Sequence, residues 1–213
     1  MEEEHYFSKQ PKSKEILKKI TANIRNNNFE FYTASGVFSA EKIDTGTRIL
    51  IENIIIKEKD AVLDFGCGIG VVGIVIKKSF PATKVYLTDI NERAVKISQK
   101  NAELNDITSN NTLNKSTTGN IAFFQGNLFE SIPKNLKFDT IISNLPQHAG
   151  RKVCFEIITK SKDFLNQDRT LQVVARHQKG GKEIEKKMKE VFGNVSTLAK
   201  ESGYRVYLSK NTN

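Results

Sequence analysis

From Ala61 onward, short β-branched runs alternate with longer stretches of helical period, and this alternation leaves few folds open. Ala61 to Phe65, Lys84 to Thr88, Ile121 to Gln125, Thr140 to Ser143 and Thr170 to Ala175 read as strands. Val71 to Ser79, Glu92 to Leu104, Lys152 to Leu165 and Gly181 to Phe192 read as helices. Such a series builds βαβ units, hence an α/β fold with a mostly parallel sheet covered on both faces. Val195 to Leu198 and Tyr204 to Leu208 flank Glu201-Ser202-Gly203 and read as a C-terminal hairpin that adds an antiparallel strand.

The residues ahead of this series are less regular. Lys12 to Ile24 is expected to be helical, with short strands at Phe29 to Thr33 and Gly36 to Ser39. Thr45-Gly46-Thr47 offers N-cap chemistry for a helix over Arg48 to Ile56. Residues 1–45 are therefore expected to form a cap packed on the core, and 46–213 the main domain. Residues 105–120 are rich in Ser, Thr and Asn, lack periodicity, and are expected to be a mobile loop.

A chain of 213 residues needs no metal or disulfide staple to bury a core. Its two cysteines, Cys67 and Cys154, make no disulfide framework and join no metal-spaced Cys/His cluster, so a reduced cytoplasm and no metal are expected. No apolar run approaches the ~18 residues of a membrane span. The acidic start, Met1 to Glu4, does not resemble a secretory signal. The net charge of +9 favours an anionic partner such as nucleic acid, with Lys9, Lys12, Lys14, Lys18 and Lys19 as a positive cluster. On the last helix, Lys182, Lys186, Lys187 and Lys189 interleave with Glu183, Glu185 and Glu190 and read as a solvated face.

The densest signal is the run Val62 to Gly73, in which a buried strand enters a glycine-rich turn and then a helix. Glycines there let a ligand approach the backbone, and ligands of parallel sheets bind beyond the carboxyl ends of the strands. Gly68-Ile69-Gly70-Val71-Val72-Gly73 matches the dinucleotide pattern G-x-G-x-x-G, which keeps a nicotinamide-dependent oxidoreductase among the readings. Asp64 points elsewhere: a carboxylate at the strand end suits the ammonium of S-adenosylmethionine and repels a pyrophosphate. Asp89, ending the next strand, suits the ribose diol of either cofactor. Cys67 reads as a small filler of the turn.

The strand over Thr140 to Ser143 ends in Asn144-Leu145-Pro146-Gln147-His148. The Asn144 side-chain carbonyl and the Leu145 backbone carbonyl, projected by Pro146, can both accept from an exocyclic amine and aim its lone pair at an activated methyl.

Together, Asp64 to Gly70, Asp89, Gly126-Asn127-Leu128-Phe129 and Asn144 to Gln147 resemble the ordered motifs of class I S-adenosylmethionine-dependent methyltransferases, with a Rossmann-like, seven-stranded sheet. Phe31 to Ser39, Asp44 to Thr47 and His148-Ala149-Gly150 are similar to the "methyltransferase small" family. Its typical members methylate a guanine N2 amine in small-subunit ribosomal RNA, and single-domain archaeal members look most similar. The resemblance implies S-adenosyl-L-methionine as cofactor and ribosomal RNA or the small ribosomal subunit as partner. It implies that Asp64, Gly66, Cys67, Gly68 and Gly70 hold the methionine part, Asp89 the ribose and Asn127 the adenine amine, with Ile90 and Leu128 also on the cofactor. Asn144, Leu145 and Pro146 would then be catalytic, with Asn144 also beside the cofactor and Phe38, Gln147 and His148 on the substrate. Leu145 and Gln147 depart from the usual Asn-Pro-Pro-aromatic motif, and Asn127 replaces an Asp. Methylation of adenine N6 or of a protein glutamine amide, and a non-catalytic RNA-binding protein of the same fold, remain open readings.

Overall fold

The computed structural model describes residues 16–37, 42–107 and 121–212. Phe38, Lys9, Lys12, Lys14 and most of the 105–120 segment lie outside the described residues. Nine strands and five helices follow one another as β1 (Leu17–Ile24), β2 (Asn27–Ala34), α1 (Thr45–Asn53), β3 (Ala61–Phe65), α2 (Val71–Ser79), β4 (Lys84–Asp89), α3 (Glu92–Leu104), β5 (Ile121–Gln125), β6 (Phe138–Asn144), α4 (Arg151–Phe164), β7 (Leu165–Arg176), α5 (Lys182–Phe192), β8 (Ser196–Glu201) and β9 (Tyr204–Lys210) among the described residues.

Seven strands form one sheet in the order β5-β4-β3-β6-β7-β9-β8, all running the same way except β9, which pairs antiparallel with both β7 and β8. The chain runs outward from β3 through β4 to β5, then returns to β6 on the other side of β3. The crevice at the carboxyl ends of β3 and β6 is thus the topological switch point where open α/β sheets bind ligands. The two strands pair only as far as Asp64 opposite Ile142, and Ser143 Oγ donates to the Phe65 carbonyl at 2.8 Å, closing the junction below the crevice.

Alternation of side chains along β3 divides the core. Val62 packs into one apolar layer with Ile74, Val75 and Leu87, while Leu63 and Phe65 pack into the other with Ile141, Ile157 and Met188. Helices α1 to α3 serve the first layer, and α4 and α5 the second.

The segment Leu17 to Ile24 is a strand, not the expected helix. Its sequence carries both periods: Leu17, Ile20 and Ile24 fit a helix face, while Ala22 and Ile24 alternate as in a strand. The adjoining turn decides. Arg25 and Asn26 have φ of 49° and 61°, the left-handed pair of a type I′ hairpin turn, and Ile24 pairs with Asn27 across it. Lys18 and Lys19 therefore point to opposite faces, and Lys19 pairs with Glu30 at 2.9 Å; Lys9, Lys12 and Lys14 of the expected positive cluster lie outside the described residues. Gly36 and Val37 lie in a turn, not in the expected short strand.

Two asparagines, Asn101 in α3 and Asn105 at its C-cap, join this hairpin to the core. Asn101, fully buried, accepts from Tyr32 N at 2.6 Å and donates to the carbonyls of Tyr32 and Ile69, both at 2.9 Å. Asn105 repeats the pattern on Glu30, accepting at 3.2 Å and donating at 2.7 Å. The two amides act as a surrogate strand along β2. Asn101→Ala would leave three buried backbone groups unpaired and is expected to cost about 2 kcal/mol, measured as a lower urea midpoint at unchanged m-value.

Candidate active site

A cleft of about 690 Å3 opens at the switch point, within the range of small-molecule sites. One wall is the turn after β3. Gly66 and Cys67 N–H donate to the Thr88 carbonyl at 2.9 and 3.0 Å, and Gly68 N donates to Asp89 Oδ2 at 2.8 Å. Gly66 and Gly68 have φ of +71° and +55°, and a Cβ on either would meet no protein atom within 4 Å. The space a side chain would fill there is the cleft itself. Gly70, at φ +87°, caps α2, and its Cβ would stand 2.8 Å from Ser98 Cβ, so close packing requires a glycine there.

Two carboxylates border this wall. Asp64 is buried, and its Oδ2 accepts from Gly73 N at 2.9 Å. Burial pushes its carboxyl up to about 7; the Gly73 N–H pulls the other way, and Asp89 adds to the rise. Asp89 is also pushed up by burial, against the N–H groups of Asn91 and Gly68. Neither forms an ion pair with a Lys or Arg among the described residues. Beside them Thr88 Oγ1 is buried without a hydrogen-bond partner. An acidic, partly unsatisfied surface of this kind suits a cationic ligand that carries its own hydroxyls. Burial raises the Cys67 thiol as well, which keeps it protonated, a filler and not a nucleophile.

The far end of this wall is the turn after β5. Asn127 lines the cleft, and its Nδ2 donates to Glu130 Oε1 at 3.3 Å, so its carbonyl oxygen is the amide end left to accept from a ligand. Leu128 takes a left-handed φ of 50°, a strained conformation held by its packing against Phe129 and the second core layer. Ile90 joins Asn127 and Leu128 in lining this end.

The opposite wall is the turn after β6. Asn144 Nδ2 donates to Asp44 Oδ2 at 3.1 Å and to Thr47 Oγ1 at 3.0 Å. A carboxylate cannot donate, so the amide has one orientation: NH₂ toward α1, carbonyl toward the cleft. Asp44 is also the N-cap of α1, accepting from Thr47 N at 3.1 Å. The cap chemistry of Asp44 to Thr47 thus doubles as the support of Asn144. Pro146, with φ −74° and ψ 69°, forms an inverse γ-turn in which Gln147 N donates to the Leu145 carbonyl at 2.8 Å. That carbonyl has one lone pair left for an amine, while the Leu145 side chain is buried.

Gln147 borders the cleft, but its amide is engaged by the protein: Oε1 accepts from Arg176 N at 2.8 Å and Nε2 donates to the Lys179 carbonyl at 2.6 Å. His148 lies exposed in the same turn at the rim. Beside Gln147, Arg176 Nε donates to Tyr204 Oη at 2.7 Å, and its guanidinium lies over the Tyr204 ring, 5.1 Å from the centroid. His177 faces Tyr207 Oη at 3.0 Å. Asp44, Thr47, Thr88, Arg176 and Tyr204 are among the cleft residues that sequence reading did not assign to the site. Thr47 carried a signal in the expected cap Thr45-Gly46-Thr47, although the N-cap of α1 is Asp44, which had entered only with the family motif; Arg176 carried no signal of its own.

The methyltransferase small domain family model matches residues 28–208. The chain belongs to this family. The chain is 34% identical over 208 residues to the uncharacterized protein YbxB of Bacillus subtilis, covering 97% of this chain and 98% of that protein. It is 33% identical over 214 residues to ribosomal RNA small subunit methyltransferase C of Haemophilus influenzae, covering 97% of this chain and 60% of that protein. The 16S rRNA N2 methyltransferase of T. thermophilus, solved with AdoMet and guanosine, superposes with a TM-score of 0.75 at 21% identity, over 92% of this chain and 50% of that one. The chain thus spans 60% or less of the named ribosomal RNA methyltransferases it matches.

Proposed function

We propose that this methyltransferase domain transfers a methyl group from S-adenosyl-L-methionine to the exocyclic N2 amine of a guanine in small-subunit ribosomal RNA. The observation that carries the reading is the single orientation of the Asn144 amide, with its NH₂ tied to Asp44 and Thr47 and its carbonyl left to accept from an amine. The names of the relatives support ribosomal RNA as the substrate class. The cofactor fits the cleft on its own chemistry. Asp64 would hold the ammonium, Gly66 and Gly68 leave room at the backbone for the methionine chain, Asp89 and Thr88 would meet the ribose hydroxyls, and the Asn127 carbonyl the adenine amine. When bound, the cofactor supplies an electrophilic methyl on a sulfonium. Asn144 Oδ1 and the Leu145 carbonyl accept the two N–H groups of the amine and fix its lone pair toward that methyl. Gly66, Gly68, Asp64, Asp89 and Asn144 thereby place both reactants in one cleft, which is the main catalytic contribution for a donor already activated.

Mass-spectrometric mapping of ribosomal RNA from cells with and without the gene tests the reading. It expects one N2-methylguanosine in small-subunit RNA to be lost on deletion. An unchanged modification map would refute it.

The buried carboxyl of Asp64 adds a pH signature. With its pKa raised to about 7, the group is protonated on the acid side and ionised above. A cation binds the ionised form, so cofactor affinity should fall as pH drops below 7, by up to tenfold per unit. Calorimetry between about pH 5.5 and 7, where an α-amino group stays charged, reads this directly. Asp64→Asn should bind more weakly at pH 7 and lose the slope; a variant with the wild-type slope would assign the pH dependence to another group.

A further inference from the structure

The turn after β6 carries Gln147 where the family resemblance has an aromatic ring. The Gln147 amide holds the backbone of Arg176: Oε1 accepts from Arg176 N at 2.8 Å, and Nε2 lies 3.4 Å from the Arg176 carbonyl and 2.6 Å from that of Lys179. The Arg176 side chain is fixed in turn by Tyr204, through the Nε–Oη hydrogen bond and the stacked ring. Among the described residues no acceptor holds its Nη groups. Arg176 stands two residues beyond Val174, the partner of Asn144 across the β6–β7 ladder, so strand spacing puts their Cα atoms about 8 Å apart. Both border the same cleft.

We infer that Arg176 reads the base: its guanidinium donates to O6 and N7 of the guanine whose N2 amine Asn144 holds. This rests on the guanine reading proposed above. N2 and the O6/N7 pair lie on opposite sides of a purine, so one base can bridge two side chains carried by neighbouring strands at one edge of the sheet. A planar fork whose roll is fixed by a stacked ring matches two acceptors that lie in one plane. Adenine offers an amino donor where guanine offers O6, so the same fork rejects it. A phosphate is the poorer occupant, because Asp44 stands close enough to act on Arg176 and because Asp64 and Asp89 line the same cleft. The Gln147 departure and the Arg176 guanidinium are then one device: the site gives up a stacking ring and gains a reader of the base edge.

The test is single-turnover methyl transfer to a small-subunit ribosomal RNA transcript made with guanosine or with 7-deazaguanosine, naked and assembled with ribosomal proteins. The 7-deaza base keeps N2 and O6 and lacks the N7 acceptor. Wild type should be about fivefold to tenfold slower on the 7-deaza transcript, the scale of one hydrogen bond. Arg176→Ala and Arg176→Lys should be slow on both transcripts and should not distinguish them, since an ammonium cannot make the fork. Variants that keep the wild-type ratio, a wild type that ignores the 7-deaza change, or a lysine variant restored to the full rate would each overturn the inference, the last by showing a charge contact to phosphate. A wild type that methylates neither transcript in either form would defeat the guanine reading itself.

Discussion

Asn144→Ala is expected to lower the single-turnover rate of methyl transfer by about 10²- to 10³-fold, the scale of removing one preorganised polar group from a reacting centre. The reason is geometric. Asn144 ends β6 at the switch point, and its carbonyl is aimed by two hydrogen bonds formed before any substrate arrives. Without it the amine is held only by the remaining lone pair of the Leu145 carbonyl. Cofactor affinity should change little, because the glycine turn, Asp64 and Asp89 are untouched. The loss should therefore appear in the chemical step, separated from binding by parallel calorimetry. Equal losses in rate and cofactor affinity would make Asn144 a cofactor ligand first.

Asp44→Ala is expected to give the next largest loss, about 30- to 100-fold in the same assay, although Asp44 itself would touch no reacting atom. Its carboxylate sets which way the Asn144 amide faces. Without it the carbonyl and NH₂ ends can exchange, held only by Thr47 Oγ1, which can both donate and accept. The lost α1 cap adds about 1 kcal/mol of destabilisation, readable in urea. A conservative variant separates positioning from folding. Asp44→Asn keeps an acceptor oxygen for Thr47 N and Asn144 Nδ2, so it should recover most of the rate, whereas Thr47→Ala should lose several-fold. A rate that follows stability alone across these variants would make Asp44 purely structural.

How far the sequence could be read depended on whether the deciding contact was local. The β3 strand, its glycine turn and α2 were legible residue by residue, because the strand run, the positive-φ glycines and the helical period are all encoded within Ala61–Ser79. Likewise α3 was legible over Glu92–Leu104 from its helical period. By contrast, β1 was misread because its apolar spacing satisfies both periods, and the type I′ turn at Arg25-Asn26 uses residues that only weakly announce it. At the site, Asp64, Asp89, Asn127 and Asn144 were legible as residues and do border one cleft. Their support was not. The bonds from Asn144 to Asp44 and Thr47 join positions about a hundred residues apart, and Gln147 reaches Arg176 across a strand pairing. Gln147 in particular looked like a substrate contact that had lost its ring; the structure engages its amide in the protein instead.

The central claim is that this cleft methylates guanine N2 in ribosomal RNA, and it is tested most directly by the chemical identity of the product. Purified protein, labelled S-adenosylmethionine and small ribosomal subunits or naked small-subunit RNA should yield, after digestion to nucleosides, label in N2-methylguanosine from wild type and almost none from Asn144→Ala. Label in N6-methyladenosine or in a protein glutamine, or no transfer from wild type to any of these substrates, would contradict the account.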